Sequence, residues 1–145
     1  MINETTRLEN YLHDVIRLLT QVETITLNES QILCNSFNIN NSFNMMEDMA
    51  KNKEELTENI QQIEAEFEEL YITVKPFLIQ PENKSQLIKI KGLVNEVLRL
   101  RESIIASEKS NVETMEKDLQ QKLGVLEIKK KSTYATQRYK AFEKI

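Results

Sequence analysis

Turn-forming residues are almost missing from this chain: two glycines and two prolines in 145 residues. An all-β domain needs such breakers every ~8 to 12 residues, so long helices are the remaining choice. A single cysteine, Cys34, cannot build a disulfide framework, and a single histidine, His13, cannot complete a zinc site or a His-rich di-metal site. Glycine is also too scarce for a phosphate-cradling loop. Neither enzymatic activity nor a bound cofactor is expected from such an inventory. No apolar run reaches the ~18 residues of a membrane span, and Met1-Ile2-Asn3-Glu4 lacks the basic region of a Sec leader, so neither membrane insertion nor a leader is expected. The unpaired thiol suits a reducing compartment, and a cytoplasmic location is expected.

Charge narrows the partners. With 23 acidic and 19 basic groups the net charge is −4, which gives no general attraction for phosphate backbones or anionic lipid, and nucleic acid is not an expected partner. The charge is also segregated. Residues 129–145 hold Lys129, Lys130, Lys131, Arg138, Lys140 and Lys144 against Glu143, a local +5 that leaves −9 on residues 1–128. Tyr134, Tyr139 and Phe142 are interleaved with these bases. The combination suits a tail that folds onto an acidic surface or frays, and one short basic stretch supplies few phosphate contacts.

What is abundant is apolar spacing in steps of three and four. In the first third, Leu8, Tyr11, Leu12, Val15, Leu18, Leu19, Val22 and Ile25 predict a helix that starts near Asn3 and Glu4 and continues through Ile32, Leu33 and Phe37. Asn38-Ile39-Asn40-Asn41-Ser42 predicts a turn, since short polar side chains compete for their own backbone. Residues 26–44 also admit a split into a separate short helix. In the middle, Met46, Met49, Leu56, Ile60, Ile63, Phe67, Leu70, Val74 and Phe77 form a heptad stripe with Lys53 as its one polar intruder. Glu54, Glu58, Glu64, Glu66 and Glu68 are assigned to the wet faces. This helix is expected to end near Pro76, with Pro81-Glu82-Asn83-Lys84-Ser85 as turn chemistry.

The last stripe, from Leu87 and Ile90 through Val97, Leu98, Ile104, Ile105, Val112 and Met115 to Leu119, Leu123 and Leu126, predicts one helix over about 84–130. It holds two heptad phases, as a helix touching two neighbours would. Gly92 and Gly124 lie inside it at roughly 1 kcal/mol each against alanine. Short connections make the three helices antiparallel, so the expected fold is all-α, an up-down-up three-helix bundle over residues 1–132 followed by a basic, aromatic C-terminal tail over 133–145. The first two helices measure about 50 Å each and the third about 75 Å. The third therefore passes the first turn near residue 116 and overhangs. Val112, Met115, Leu119, Leu123 and Leu126 are the expected partner-binding residues on that stripe, and a Met-rich start to the second helix, Met45, Met46 and Met49, lies near it. The competing expectation is that the chain covers these side chains itself.

Other constellations read as structure. Glu9 and His13 have the i,i+4 spacing of metal ligands, but an exposed or half-packed imidazole is the default. Glu64, Glu66, Glu68 and Glu69 converge on no pocket, and a solvated face explains them.

Three stretches resemble the small flagellar type III export chaperones of the FlgN type, in particular clostridial-like members. They are Met46-Glu47-Asp48-Met49 through Lys53-Glu54-Glu55-Leu56 to Ile60 and Ile63; Phe67-Glu68-Glu69-Leu70-Tyr71; and Leu98 through Glu108, Asn111 and Leu119 to Lys129-Lys130 with Tyr134 just beyond. The resemblance is one of rhythm over about two-thirds of the chain, and the Asn-rich turn and the aromatic extension depart from it. It implies a cytosolic, non-enzymatic chaperone that binds helical segments of hook-associated (hook-filament junction) proteins. Such a chaperone prevents premature assembly of its clients and delivers them to the export apparatus. The alternative is a structural coiled-coil protein that uses the same stripe for a homodimer or larger assembly.

Overall fold

A computed structural model gives the architecture, describing residues 2–35 and 39–118, with side chains over 3–34 and 44–117. Three helices account for nearly all of it: α1 (Ile2–Asn35), α2 (Ile39–Leu78) and α3 (Lys84–Asp118), with a single 3-10 turn at Pro81–Asn83. There is no strand among the described residues. The fold is an all-α three-helix bundle. The expected continuation of α3 to about residue 130, its overhang and the C-terminal tail lie outside the described residues.

The seams explain the packing. Leu8, Val15, Leu19 and Val22 of α1, Ile60, Phe67, Val74 and Leu78 of α2, and Ile90, Val97 and Ile104 of α3 are buried together as the main core. Each is one turn or one heptad from the next, so a single face of each helix supplies them. Burying each leucine or isoleucine of this kind is worth about 1.5–3 kcal/mol, which is what holds helices whose intrinsic propensity alone would be marginal. Phe67 and Tyr71 stack on α2 with ring centroids 5.8 Å apart.

Helix directions follow from side-chain pairs. Glu9 meets Lys89, Glu23 meets Ser103 and Ser30 meets Asn111, sequence separations of 80, 80 and 81 along the length of both helices. A constant offset means that α1 and α3 run parallel and in register. Lys53 meets both Glu29 and Glu108, while Arg101 faces Glu64, so α2 is antiparallel to both. α1 packs closely on each of the others. The α2 and α3 backbones approach each other at few places, and long side chains span the gap between them.

α1 and the end of α2 follow the sequence expectation, and the start of α2 differs from it. α1 runs unbroken through Thr24 and Thr26, because each hydroxyl donates to the carbonyl one turn back, Thr24 Oγ1 to Thr20 O at 3.0 Å and Thr26 Oγ1 to Val22 O at 2.9 Å, rather than competing with the helix. The first connection is correspondingly shorter than the Asn-rich tract, with α2 already begun at Ile39. Asparagine and serine are well tolerated in an opening turn, where backbone N–H groups have no helical partner. At the other end α2 retains Pro76 in its last turns and stops at Leu78. The carbonyl that Pro76 leaves without its helical donor belongs to Ile72, and both residues are exposed. Buried Asn83 closes this corner by donating from Nδ2 to Phe77 O at 2.7 Å.

Gly92 sits exposed inside α3, and a Cβ added there meets nothing within 4 Å. Gly92→Ala is therefore expected to stabilise the bundle by about 0.5–1 kcal/mol, read as a higher urea midpoint at unchanged m-value. An unchanged or lowered midpoint would mean that the position is constrained by contacts outside the described residues.

Candidate functional site at the far end of the bundle

Above the main core the three seams turn polar. Lys53 is 6% exposed, Glu29 2% and Glu108 7%, one from each helix. Lys53 Nζ donates to Glu29 Oε1 and, at 3.4 Å, to Glu108 Oε1. A second set of bonds lies beside it. Asn111 Nδ2 donates to the Thr26 carbonyl at 3.1 Å, and the Ser30 hydroxyl donates to Asn111 Oδ1 at 2.6 Å. Arg101 and Glu64, both buried, approach to 4.0 Å within the span of the main core, past Ile60 and Ile104. Glu64 was expected on a wet face; the heptad phase of Tyr71 and Leu78 carries it inward instead.

Electrostatics in this layer are unbalanced. One ammonium faces two carboxylates, and Glu108 Oε2 is buried without a hydrogen-bond partner among the described residues. Burial pushes the Glu29 carboxyl above its ordinary 4.5, with Lys53 opposing. Glu108 is raised for the same first reason, opposed by Lys53 and pushed further up by Glu29. The folded chain thus holds these protons more tightly than the unfolded chain does. Their contribution to stability is complete below about pH 4.5 and is lost as pH rises through the raised folded values.

Beyond the polar layer is a second, small apolar cluster. Met46, Val112 and Met115 are buried in it, with Ile32 and Leu33 packed against them. Two of the expected partner-binding residues are therefore interior: Val112 is 4% exposed and Met115 9%, covered by the end of α1 and the start of α2. The sequence places them on an apolar stripe but does not show what lies across from it. Leu119, Leu123 and Leu126 lie outside the described residues. Met45 is exposed and Met49 half-buried, so the Met-rich start of α2 divides between the interior and the surface. Met115 meets the ends of α1 and α2 beside their connection, so α3 reaches the level of that turn at this residue.

Comparison with family models, with curated proteins and with solved structures returns no match. Chemistry must be read from the residues alone. Glu9 is engaged by Lys89 at 3.3 Å and His13 is exposed, and no group of three or more His, Cys, Asp or Glu side chains is placed to hold a metal among the described residues. Cys34 is a free, exposed thiol near the end of α1. No helix of the described residues is long and apolar enough to cross a membrane. What the far end holds, among the described residues, is a small buried apolar cluster beside buried carboxylates under the control of Lys53.

Removing the cation should expose that control. Lys53→Met leaves two buried carboxylates without their partner and is expected to cost about 3–5 kcal/mol at pH 8. The cost should shrink toward pH 5, where the carboxylates take protons instead. Chemical denaturation at the two pH values measures it; an equal loss at both would show that the ammonium is not balancing these carboxylates.

Proposed function

We propose that the chain is a cytosolic, non-enzymatic export chaperone. In this reading the stripe on α3 docks an amphipathic helical segment of flagellar hook-associated proteins, keeps them from assembling prematurely and aids their delivery to the export apparatus. The observation that supports it best is the position of Met115, beside the connection between α1 and α2, with apolar steps continuing in sequence to Leu119, Leu123 and Leu126. An amphipathic client helix needs such a row at intervals of three and four. Met46 and Met115 at its inner end can adapt to clients of different shape. The resemblance in rhythm to FlgN-type chaperones points to the same client class. Val112 and Met115 serve here as the inner end of the stripe, with Leu119, Leu123 and Leu126 as the outer contact.

Leu119→Asp combined with Leu123→Asp is expected to abolish co-purification of hook-associated proteins while leaving helical circular dichroism and the melting temperature unchanged. Loss of helix or a large fall in melting temperature would place these leucines in the chain's own core. A tight dimer in sedimentation that client addition does not alter would assign the surface to self-association.

A further inference from the structure

The end of the bundle where α2 turns into α3 carries a different chemistry from the far end. Among the described residues five large apolar side chains are exposed, and three of them sit here: Ile72 at 68%, Ile79 at 62% and Ile88 at 59%. Lysines accompany them. Lys75, Lys84 and Lys91 are exposed, and none has an ion-pair partner among the described residues. Spacing puts all six on one side. Ile72, Lys75 and Ile79 follow at steps of three and four, and Lys84, Ile88 and Lys91 at four and three. Ile79 lies just past α2, but its N–H donates to Lys75 O at 3.1 Å and prolongs the helical turn. Glu64 facing Arg101 shows which flanks of α2 and α3 meet. From those rows the path away from the core runs through Lys75 to Ile72 and Ile79 on α2, and through Lys91 and Lys84 to Ile88 on α3. Both paths lead away from α1, so the isoleucines project from the two-helix face and the lysines lie between them.

We propose that this corner rests on an anionic bilayer surface, with Ile72, Ile79 and Ile88 entering the headgroup boundary and Lys75, Lys84 and Lys91 meeting the lipid phosphates. Residues 70–92 hold four lysines against Glu82, a local +3 in a chain of net −4. Local sign decides such a contact, because salt screens charges beyond about 8 Å. Lysine stems lie along apolar surface while their ammonium groups reach outward, which suits a side chain set beside an inserted isoleucine. A helical protein partner is held by a groove or a continuous apolar row, whereas a lipid interface accepts isolated apolar side chains flanked by lysine. The favourable area is short. Two heptads further along the same rows stand Glu58 and Glu102, both exposed, so the bundle meets the surface by this corner and not along its length. The chain's own basic stretch, residues 129–145, has the same sign as the corner and is no complement to it. No helix of the described residues is long and apolar enough to cross a membrane, so the contact is peripheral. It lies at the other end from the client stripe and does not rest on the proposed function.

The chain has no tryptophan, so a single introduced one reports its own surroundings. In the full chain, Ile79→Trp is expected to shift its emission to the blue when vesicles of equimolar phosphatidylcholine and phosphatidylglycerol are added. Leu27→Trp, at an exposed site in the second half of α1, is expected not to shift. In co-sedimentation with the same vesicles, Ile72→Ser with Ile88→Ser and Lys75→Glu with Lys91→Glu should each lower the partition coefficient at least about tenfold at unchanged helical circular dichroism. Vesicles of phosphatidylcholine alone should bind the wild type at least about tenfold more weakly. An unshifted Ile79→Trp would overturn the proposal and leave the corner to an acidic protein partner. Binding that none of the four substitutions weakens would assign it to residues 129–145 and overturn the proposal as well. Equal binding to phosphatidylcholine alone would contradict it too, since the lysines would then contribute nothing.

Discussion

A lysine ammonium withdrawn from water must find anionic oxygen, and the placement of Lys53 makes the rest of this bundle depend on that requirement. Its partners come from the two other helices, Glu29 of α1 and Glu108 of α3. A slip of α2 by one turn, about 5.4 Å, would put Met49 or Leu56 against the carboxylates and leave the ammonium among apolar side chains. Apolar seams alone tolerate such slips, because each heptad resembles the next. Buried ion pairs add little net stability over apolar replacements of the same volume, so what this layer supplies is alignment. Asn111 reinforces it, bonding Thr26 of the parallel helix and also Ser30, the latter within one residue of the offset that Glu9 with Lys89 and Glu23 with Ser103 share.

Alignment carries an energetic consequence along the helix axis. A polar layer interrupts the apolar column, so contacts on its two sides reinforce each other less than contacts within one core. The main core is anchored by leucine, isoleucine and aromatic side chains, whereas the end cluster relies on two methionines, a valine and the half-buried Ile32 and Leu33. Methionine fills irregular space but specifies shape weakly. Among the described residues, the end nearest the sequence's remaining leucines is thus packed by methionine rather than by leucine and aromatic side chains.

Much of the fold was legible from spacing. Steps of three and four located all three helices, and the scarcity of glycine and proline left few places for turns. The polar layer was half visible. Lys53 stood out because it shares the heptad phase of Met46, Ile60, Phe67 and Val74. Glu29 follows Leu8, Val15 and Val22 by sevens, Asn111 follows Ile90, Val97 and Ile104, and Arg101 and Glu108 fall between Leu87, Val94 and Met115. Reading phase without regard to polarity would have found them all; hydropathy alone sends them to the surface. Burial of Val112 and Met115 was not legible, since a stripe states which face is apolar and not what covers it. Thr24 and Thr26 do not interrupt α1, because the helix itself satisfies their hydroxyls.

The claim that one lysine ties the helices together is tested most directly by a double-mutant cycle between Lys53→Met and Glu29→Gln, measured by chemical denaturation at pH 7. The account predicts a coupling of at least about 1 kcal/mol, because Lys53→Met strands two buried carboxylates when Glu29 is present and only Glu108 when Glu29 is already neutral. Losses that add to within about 0.3–0.5 kcal/mol would contradict it, showing that the two side chains reach their buried positions independently.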